Sequence, residues 1–182
     1  IEYGNLSQGV FDITWRGLAD LWRFDDTFVP PSEAEISKAL KHVDYRKIRI
    51  EDSRVALPEG FVIGLGGIAK GYAVDRAGSV LKKAGYKNFL VNGGGDILTS
   101  GRRNTRAWTI GVQSPRGGRN ELVARVNASD RAVVTSGDYE RYRIYQGIRY
   151  HHILDPRTGK PARGTQSATI VARTAEEADV LA

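Results

Sequence analysis

The sequence predicts an α+β fold in a single domain. Helical and strand-like periodicities mix along its 182 residues without a regular βαβ alternation. Strand patterns crowd the second half, and neither an internal repeat nor a low-complexity tract interrupts the chain.

From Thr14 to Phe24, Leu18, Leu21 and Trp22 fall at helical spacing ahead of the acidic turn Asp25-Asp26, which predicts a short helix. In Pro30-Pro31-Ser32-Glu33-Ala34-Glu35, Ser32 stands three residues before Glu35, the spacing of a capping box. Ile36, Leu40 and Val43 continue an apolar face, so a second helix is expected to run to about His42. Lys47-Ile48-Arg49-Ile50 and Ser53-Arg54-Val55-Ala56-Leu57 alternate around Glu51-Asp52 as hairpin strands do.

The strongest helix begins at Ile68. Ala69, Ala73, Ala77, Val80, Leu81 and Ala84 line one side of it, and Gly85 is placed to end it. Phe89-Leu90-Val91 reads as a short buried strand opening into Gly93-Gly94-Gly95-Asp96, with further strands around Trp108 to Val112, Leu122 to Val126 and Ala132 to Thr135. Arg141 to Tyr145 and Ile148 to Leu154 flank Gln146-Gly147, a hairpin turn. Ser167 to Ala172 forms one more strand, and a final helix starts at a second capping box, Thr174 with Glu177.

Composition narrows the function classes. Hydrophobic residues are 41% and charged residues 26%, the usage of a folding globular chain. The absence of cysteine excludes disulfides and thiolate metal sites within these residues. No apolar run is long enough for a membrane-spanning helix, and the opening IEYGNLSQGVFD lacks a signal-peptide pattern. The formal charge is +6, but Lys and Arg are scattered among acids, which argues against a nucleic-acid partner and permits a smaller polyanion such as a dinucleotide.

Several segments could carry chemistry. Gly64-Leu65-Gly66-Gly67-Ile68-Ala69 matches the G-x-G-x-x-A dinucleotide fingerprint and opens the strongest helix. That fingerprint needs an acidic residue at the end of the next strand. Asn92 stands there instead, and Asp96 lies beyond three glycines, which weakens a Rossmann reading. A phosphate could still use the glycine backbone and the free N–H groups of the helix start, with Lys70 as a charge partner; a plain tight turn is the alternative.

His151 and His152 sit in a predicted strand and point to opposite faces, so at most one faces a site. Asp155-Pro156-Arg157-Thr158-Gly159 reads as a structured loop, and Thr135-Ser136-Gly137-Asp138 as a turn without a nucleophile elbow. Asp179, in the first or second turn of the last helix, gives no metal site by itself.

Taken in order, Gly64 to Asp75 (GLGGIAKGYAVD), Val91 to Asp96 (VNGGGD), Thr135 to Tyr139 (TSGDY), His152 to Gly159 (HILDPRTG) and Ala178 to Ala182 (ADVLA) resemble the ApbE family. The resemblance implies an ApbE-like, T-fold-related architecture with a mainly antiparallel sheet and packed helices. It also implies a magnesium-dependent enzyme that transfers FMN from FAD to a threonine hydroxyl of an acceptor protein. FAD hydrolysis to FMN and AMP, or flavin binding without catalysis, are its alternatives.

By the same resemblance, the Gly67 carbonyl and the Asp179 carboxylate are Mg²⁺ ligands, and Lys70 positions FAD. Val10, Phe11 and Asp12 make flavin-nucleotide contacts, and His152 lies near the reacting centre. Family members usually carry Asp where Gly64 stands, and a further ligand Thr four residues after Asp179. Residues 1–182 are therefore expected to be a partial domain, lacking an N-terminal segment and the end of the last helix. Family members are commonly exported and lipid-anchored, which implies an extracytoplasmic location.

Overall fold

A computed structural model describes residues 1–118 and 120–182. The helices are α1 (Glu2–Leu6), α2 (Arg16–Ala19), α3 (Glu33–Leu40), α4 (Ala69–Lys83) and α5 (Ala175–Leu181). The strands are β1 (Arg49–Glu51), β2 (Arg54–Ala56), β3 (Phe89–Gly93), β4 (Asp96–Ser100), β5 (Trp108–Gln113), β6 (Leu122–Ala128), β7 (Ala132–Gly137), β8 (Tyr142–Tyr145), β9 (Ile148–His151), β10 (Leu154–Asp155), β11 (Lys160–Pro161) and β12 (Ser167–Ala172). Every strand pairing among them is antiparallel, so the fold is α+β as expected and the Rossmann reading fails. None of the described helices is long and apolar enough to cross a membrane.

The chain forms two compact units, residues 1–65 with 138–165, and residues 66–137 with 166–182. In the first unit the predicted helix over Thr14 to Phe24 is shorter than its periodicity suggests. A 3₁₀ turn, Ile13–Trp15, leads into α2, which stops at Ala19. Tertiary contacts override the periodicity beyond that point. The Trp22 indole N–H donates to the Gly159 carbonyl across 2.9 Å, and its ring stacks on Phe28 and Tyr150. The capping box at Ser32 and Glu35 forms in full, with reciprocal bonds at the start of α3. The β1–β2 and β8–β9 hairpins form as expected, the second across Gln146 and Gly147, both at positive φ. β9 ends at His151, not at Leu154, and His152 lies in a bend before β10.

The second unit is built on one antiparallel sheet of order β12-β7-β4-β3. On one face Val74, Leu98, Ala132, Val134, Ala175 and Ala178 join α4 and α5 to the strands. The alternate residues Ile97 and Val133 pack on the other face with Ile110, Trp108, Val126 and Ala128 of the β5–β6 hairpin.

α4 starts and ends where its sequence predicts, with Gly85 at φ +90° after it, but it buries a different side. Gly71, Val74 and Gly78 are inward, whereas Ala69, Ala73, Ala77, Val80 and Ala84 are exposed. The glycines explain the choice. A Cβ on Gly78 would stand 2.5 Å from Leu98 Cδ2, and one on Gly71 would collide with the Ala175 backbone. Close helix approach therefore outweighs the longer row of alanines.

The sequence reading has no counterpart for α1 or β4, and the segment Thr135 to Asp138 read as a turn instead continues β7 through Gly137. The pairing of Ser136 with Ala168 and the Thr135–Thr169 hydroxyl bond of 2.8 Å hold it in the ladder.

Candidate functional site

The site in the second unit is assembled by α4, α5 and the β3–β4 hairpin. Helix α5 is fixed first. Both oxygens of the Asp75 carboxylate accept backbone N–H bonds from its start, Ala175 at 2.8 Å and Glu176 at 2.9 Å, and the Thr174 hydroxyl accepts from Glu177 at 3.1 Å. The capping box expected at Thr174 is thus half formed, because Glu177 turns its carboxylate to the Arg173 N–H and Asp75 supplies the remaining acceptors.

So anchored, α5 places Asp179 in its second turn, buried, not on the surface as a lone helical Asp usually is. Asp179 Oδ2 accepts the Gly71 N–H at 3.0 Å. Gly71 is the third residue of α4, and its N–H would otherwise turn toward the carbonyl four residues back, that of Gly67. Among the described residues no backbone N–H donates to that carbonyl. An open carbonyl oxygen and a carboxylate are thus set at the same helix start.

Asp96 completes the group. It opens β4 opposite Gly93, across a two-residue turn in which Gly94 and Gly95 take φ of +66° and +105°. Only residues tolerant of positive φ make this tight hairpin. The Asn92 side chain accepts the Gly95 N–H at 2.9 Å and closes the turn. The Asp96 side chain is fully buried, and Lys70 Nζ lies 2.7 Å from its Oδ1 as an ion pair. No other hydrogen-bond donor reaches either Asp96 oxygen among the described residues. Burial holds the Asp96 carboxyl above the usual carboxylate range; Lys70 pulls it down and the neighbouring Asp179 pushes it up.

In the first unit, Asp12 is buried and engaged. Its Oδ1 accepts from the Thr14 N–H at 2.7 Å and the Thr14 hydroxyl at 2.6 Å, and its Oδ2 from the Tyr45 N–H at 2.9 Å. The structure thus gives Asp12 an architectural task, shaping the segment that carries exposed Val10 and half-buried Phe11. That segment borders a cavity of about 530 Å³ lined by Gln8, Gly9, Asp12, Tyr45, Arg46 and Arg157.

The two histidines separate, although His152 lies in a bend past β9 and not in the strand expected to hold both. His151 is buried, and its Nε2 bonds the Ala162 carbonyl at 2.8 Å. His152 is half-buried, and its Nδ1 lies 3.3 Å from the Arg141 carbonyl. A carbonyl only accepts, so that Nδ1 carries the proton and Nε2 is left as the acceptor. Burial lowers the proton affinity of both rings below the ordinary histidine value.

The loop after His152 is a structured turn, as read from its residues. Asp155 pairs with Arg157 through both oxygens, at 2.9 and 2.7 Å. Gly159 takes φ +69°, with its position for a Cβ already filled by Ile36 and Leu18.

The structure therefore brings Gly67, Lys70 and Asp179 together in one unit, while Val10, Phe11, Asp12 and His152 belong to the other. Asp96 and Asp75 are members that sequence reasoning passed over. The signal for Asp96 was present in Gly94-Gly95, a hairpin turn that puts the next residue at a strand start.

The sequence profile of the ApbE family matches residues 1–182. The chain belongs to the ApbE family. It is 32% identical over 189 residues to the FAD:protein FMN transferase of Vibrio cholerae, covering 100% of this chain and 56% of that protein. With the protein of the same name from Treponema pallidum it shares 33% identity over 200 residues, 99% of this chain and 55% of that one. Among solved structures, the ApbE protein of Thermotoga maritima superposes with a TM-score of 0.91 at 42% identity, covering 99% of this chain and 60% of that one. The apo flavinyl transferase ApbE of Pseudomonas stutzeri gives 0.85 at 30% identity, with 99% and 57% covered. The chain thus spans between 55% and 60% of the length of these ApbE relatives.

The chemistry of this residue group is that of hard oxygen donors. No three His, Cys, Asp or Glu side chains converge to hold a metal among the described residues. Two carboxylates and an open carbonyl fit a cation that keeps waters and takes the rest of its shell from substrate phosphates, which is the habit of Mg²⁺.

Proposed function

We propose that this chain supplies the FAD- and magnesium-handling part of an FAD:protein FMN transferase, which moves FMN from FAD to a threonine hydroxyl and releases AMP. The observation that carries this reading is the buried Asp179 carboxylate, held by the Gly71 N–H while the Gly67 carbonyl stays open. Its context is a family whose curated relatives are named FAD:protein FMN transferases, which supports the coarser reaction.

Asp179 and the Gly67 carbonyl would hold Mg²⁺, which when bound neutralises charge on the FAD pyrophosphate. Lys70, with its half-exposed side chain, stands ready to pair with a phosphate. His152 accepts the threonine proton through Nε2 as the hydroxyl oxygen bonds to the FMN-side phosphorus. The phosphorus–oxygen bond to the AMP phosphate breaks, and AMP departs with that oxygen.

The test is mass spectrometry of an acceptor protein incubated with the intact protein, FAD and Mg²⁺. A threonine carrying FMN, with AMP released in equal amount, supports the reading. Release of free FMN and AMP, with the acceptor unmodified, replaces it with FAD hydrolysis, and FAD retained without turnover replaces it with a binding module.

A further inference from the structure

We infer that Asp96 is a member of the divalent-cation site and that the Lys70 ammonium holds the cation's place on it until the divalent ion binds. The inference rests on the magnesium reading above and adds a residue and an exchange to it.

Asp96 is fully buried, yet among the described residues only the Lys70 ammonium donates to its carboxylate, and its other close neighbour is a second carboxylate, Asp179. Buried polar groups are normally satisfied, and an incompletely partnered buried carboxylate calls for an explanation, of which a bound cation is one. A second carboxylate, Asp179, is close enough to act on it directly. Two neighbouring carboxylates with a single ammonium paired to one of them leave negative charge around a buried Asp96, where Coulomb interactions are strong. A divalent cation between them removes that excess, which a single ammonium does not.

The mechanics of the two partners differ. Asp96 is rigid, because it opens β4 at the tight Gly94-Gly95 turn, and Val74 of α4 packs where Gly93 has no Cβ. Lys70 is on the first turn of α4 with its side chain half exposed, so its ammonium can leave without backbone movement. The cation therefore meets a fixed acceptor and displaces a mobile occupant. Released, Lys70 is free to pair with a phosphate of the nucleotide.

The experiment is Mn²⁺ binding by the intact protein without FAD, followed by electron paramagnetic resonance. Wild type binds Mn²⁺, Asp179→Ala loses the site, and Asp96→Asn weakens binding at least about tenfold, the range seen when a supporting metal-site group is removed. Lys70→Met, which removes the competitor at a half-exposed side chain, tightens binding about threefold or more. Asp96→Asn binding within about twofold of wild type, while Asp179→Ala abolishes it, overturns the role of Asp96 alone. Unchanged or weaker binding by Lys70→Met overturns the exchange, and it decides the matter if Asp96→Asn fails to fold. Absence of Mn²⁺ binding by wild type removes the magnesium reading and this inference together.

Discussion

The Gly71 N–H donates to the Asp179 carboxylate across 3.0 Å, so a side chain of α5 caps the first turn of α4. The reverse also holds, since Asp75 of α4 caps the first turn of α5 through Ala175 and Glu176. Each helix thus satisfies the orphan donors of the other, and the pair fixes the position of Asp179.

The contact depends on the missing Cβ of Gly71. A methyl there would stand 2.8 Å from the Asp179 Cβ and overlap the Ala175 carbonyl, so Gly71→Ala must push α5 away. Loss of about 1–3 kcal/mol of stability is expected from such overpacking, measured by urea unfolding. FMN transfer by the intact protein is expected to fall too, because on the reading proposed above the Asp179 carboxylate moves with its helix.

Asp75→Ala removes both acceptors at the start of α5. The expected cost is about 2 kcal/mol, from charge-assisted hydrogen bonds and a helix cap together, read from the midpoint of denaturant unfolding. Asp75→Asn keeps one acceptor oxygen and should fall between the two.

His152→Ala in the intact protein is expected to slow FMN transfer by about 10²-fold or more while leaving FAD affinity nearly unchanged. Single-turnover transfer followed by mass spectrometry checks it. Undiminished transfer excludes His152 as the proton acceptor. In the wild type, transfer should decline on the acid side as Nε2 becomes protonated, below the ordinary histidine range because burial lowers its proton affinity.

Stability should also fall on acidification. His151 and His152 bind protons less readily in the folded chain than in the unfolded one, chiefly because they are buried. The unfolded state then takes up more protons as the pH drops, so their contribution is complete above about pH 6.5 and is lost below it, through the lowered folded values. Unfolding midpoints measured from pH 7.5 to 5 should decline, and His151→Gln should flatten the curve if it folds.

Gly64 stands where the family resemblance leads one to expect Asp, and it does not need to be glycine for its backbone, since its φ is not positive. A Cβ there would meet Arg16 Cβ at 3.2 Å and the Trp15 indole at 3.3 Å, contacts relieved by small shifts. Gly64→Asp is therefore expected to fold, and calorimetric titration with FAD should show severalfold tighter binding. Equal or weaker affinity would mean that this chain binds the nucleotide without that carboxylate's help.

The sequence by itself determined the helix starts at Ser32 and Ile68, the stop at Gly85, two of the hairpins and the α+β mixture of elements. These are local matters, set by caps, φ preferences and periodicity over a few residues. Gly67, Lys70, His152 and Asp179 are legible through resemblance to a family motif, not through local periodicity.

Tertiary structure alone decided which face of α4 is buried, because the close approach of Gly71 and Gly78 to residues far along the chain outweighs a row of alanines. It decided that Asp12 staples a loop to Tyr45, and that Asp75 and Thr174 share a helix cap across 99 residues of sequence. It also brought Asp96, Lys70 and Asp179 to one point. No periodicity encodes that meeting, since a buried charge is tolerated only where distant side chains converge to satisfy it.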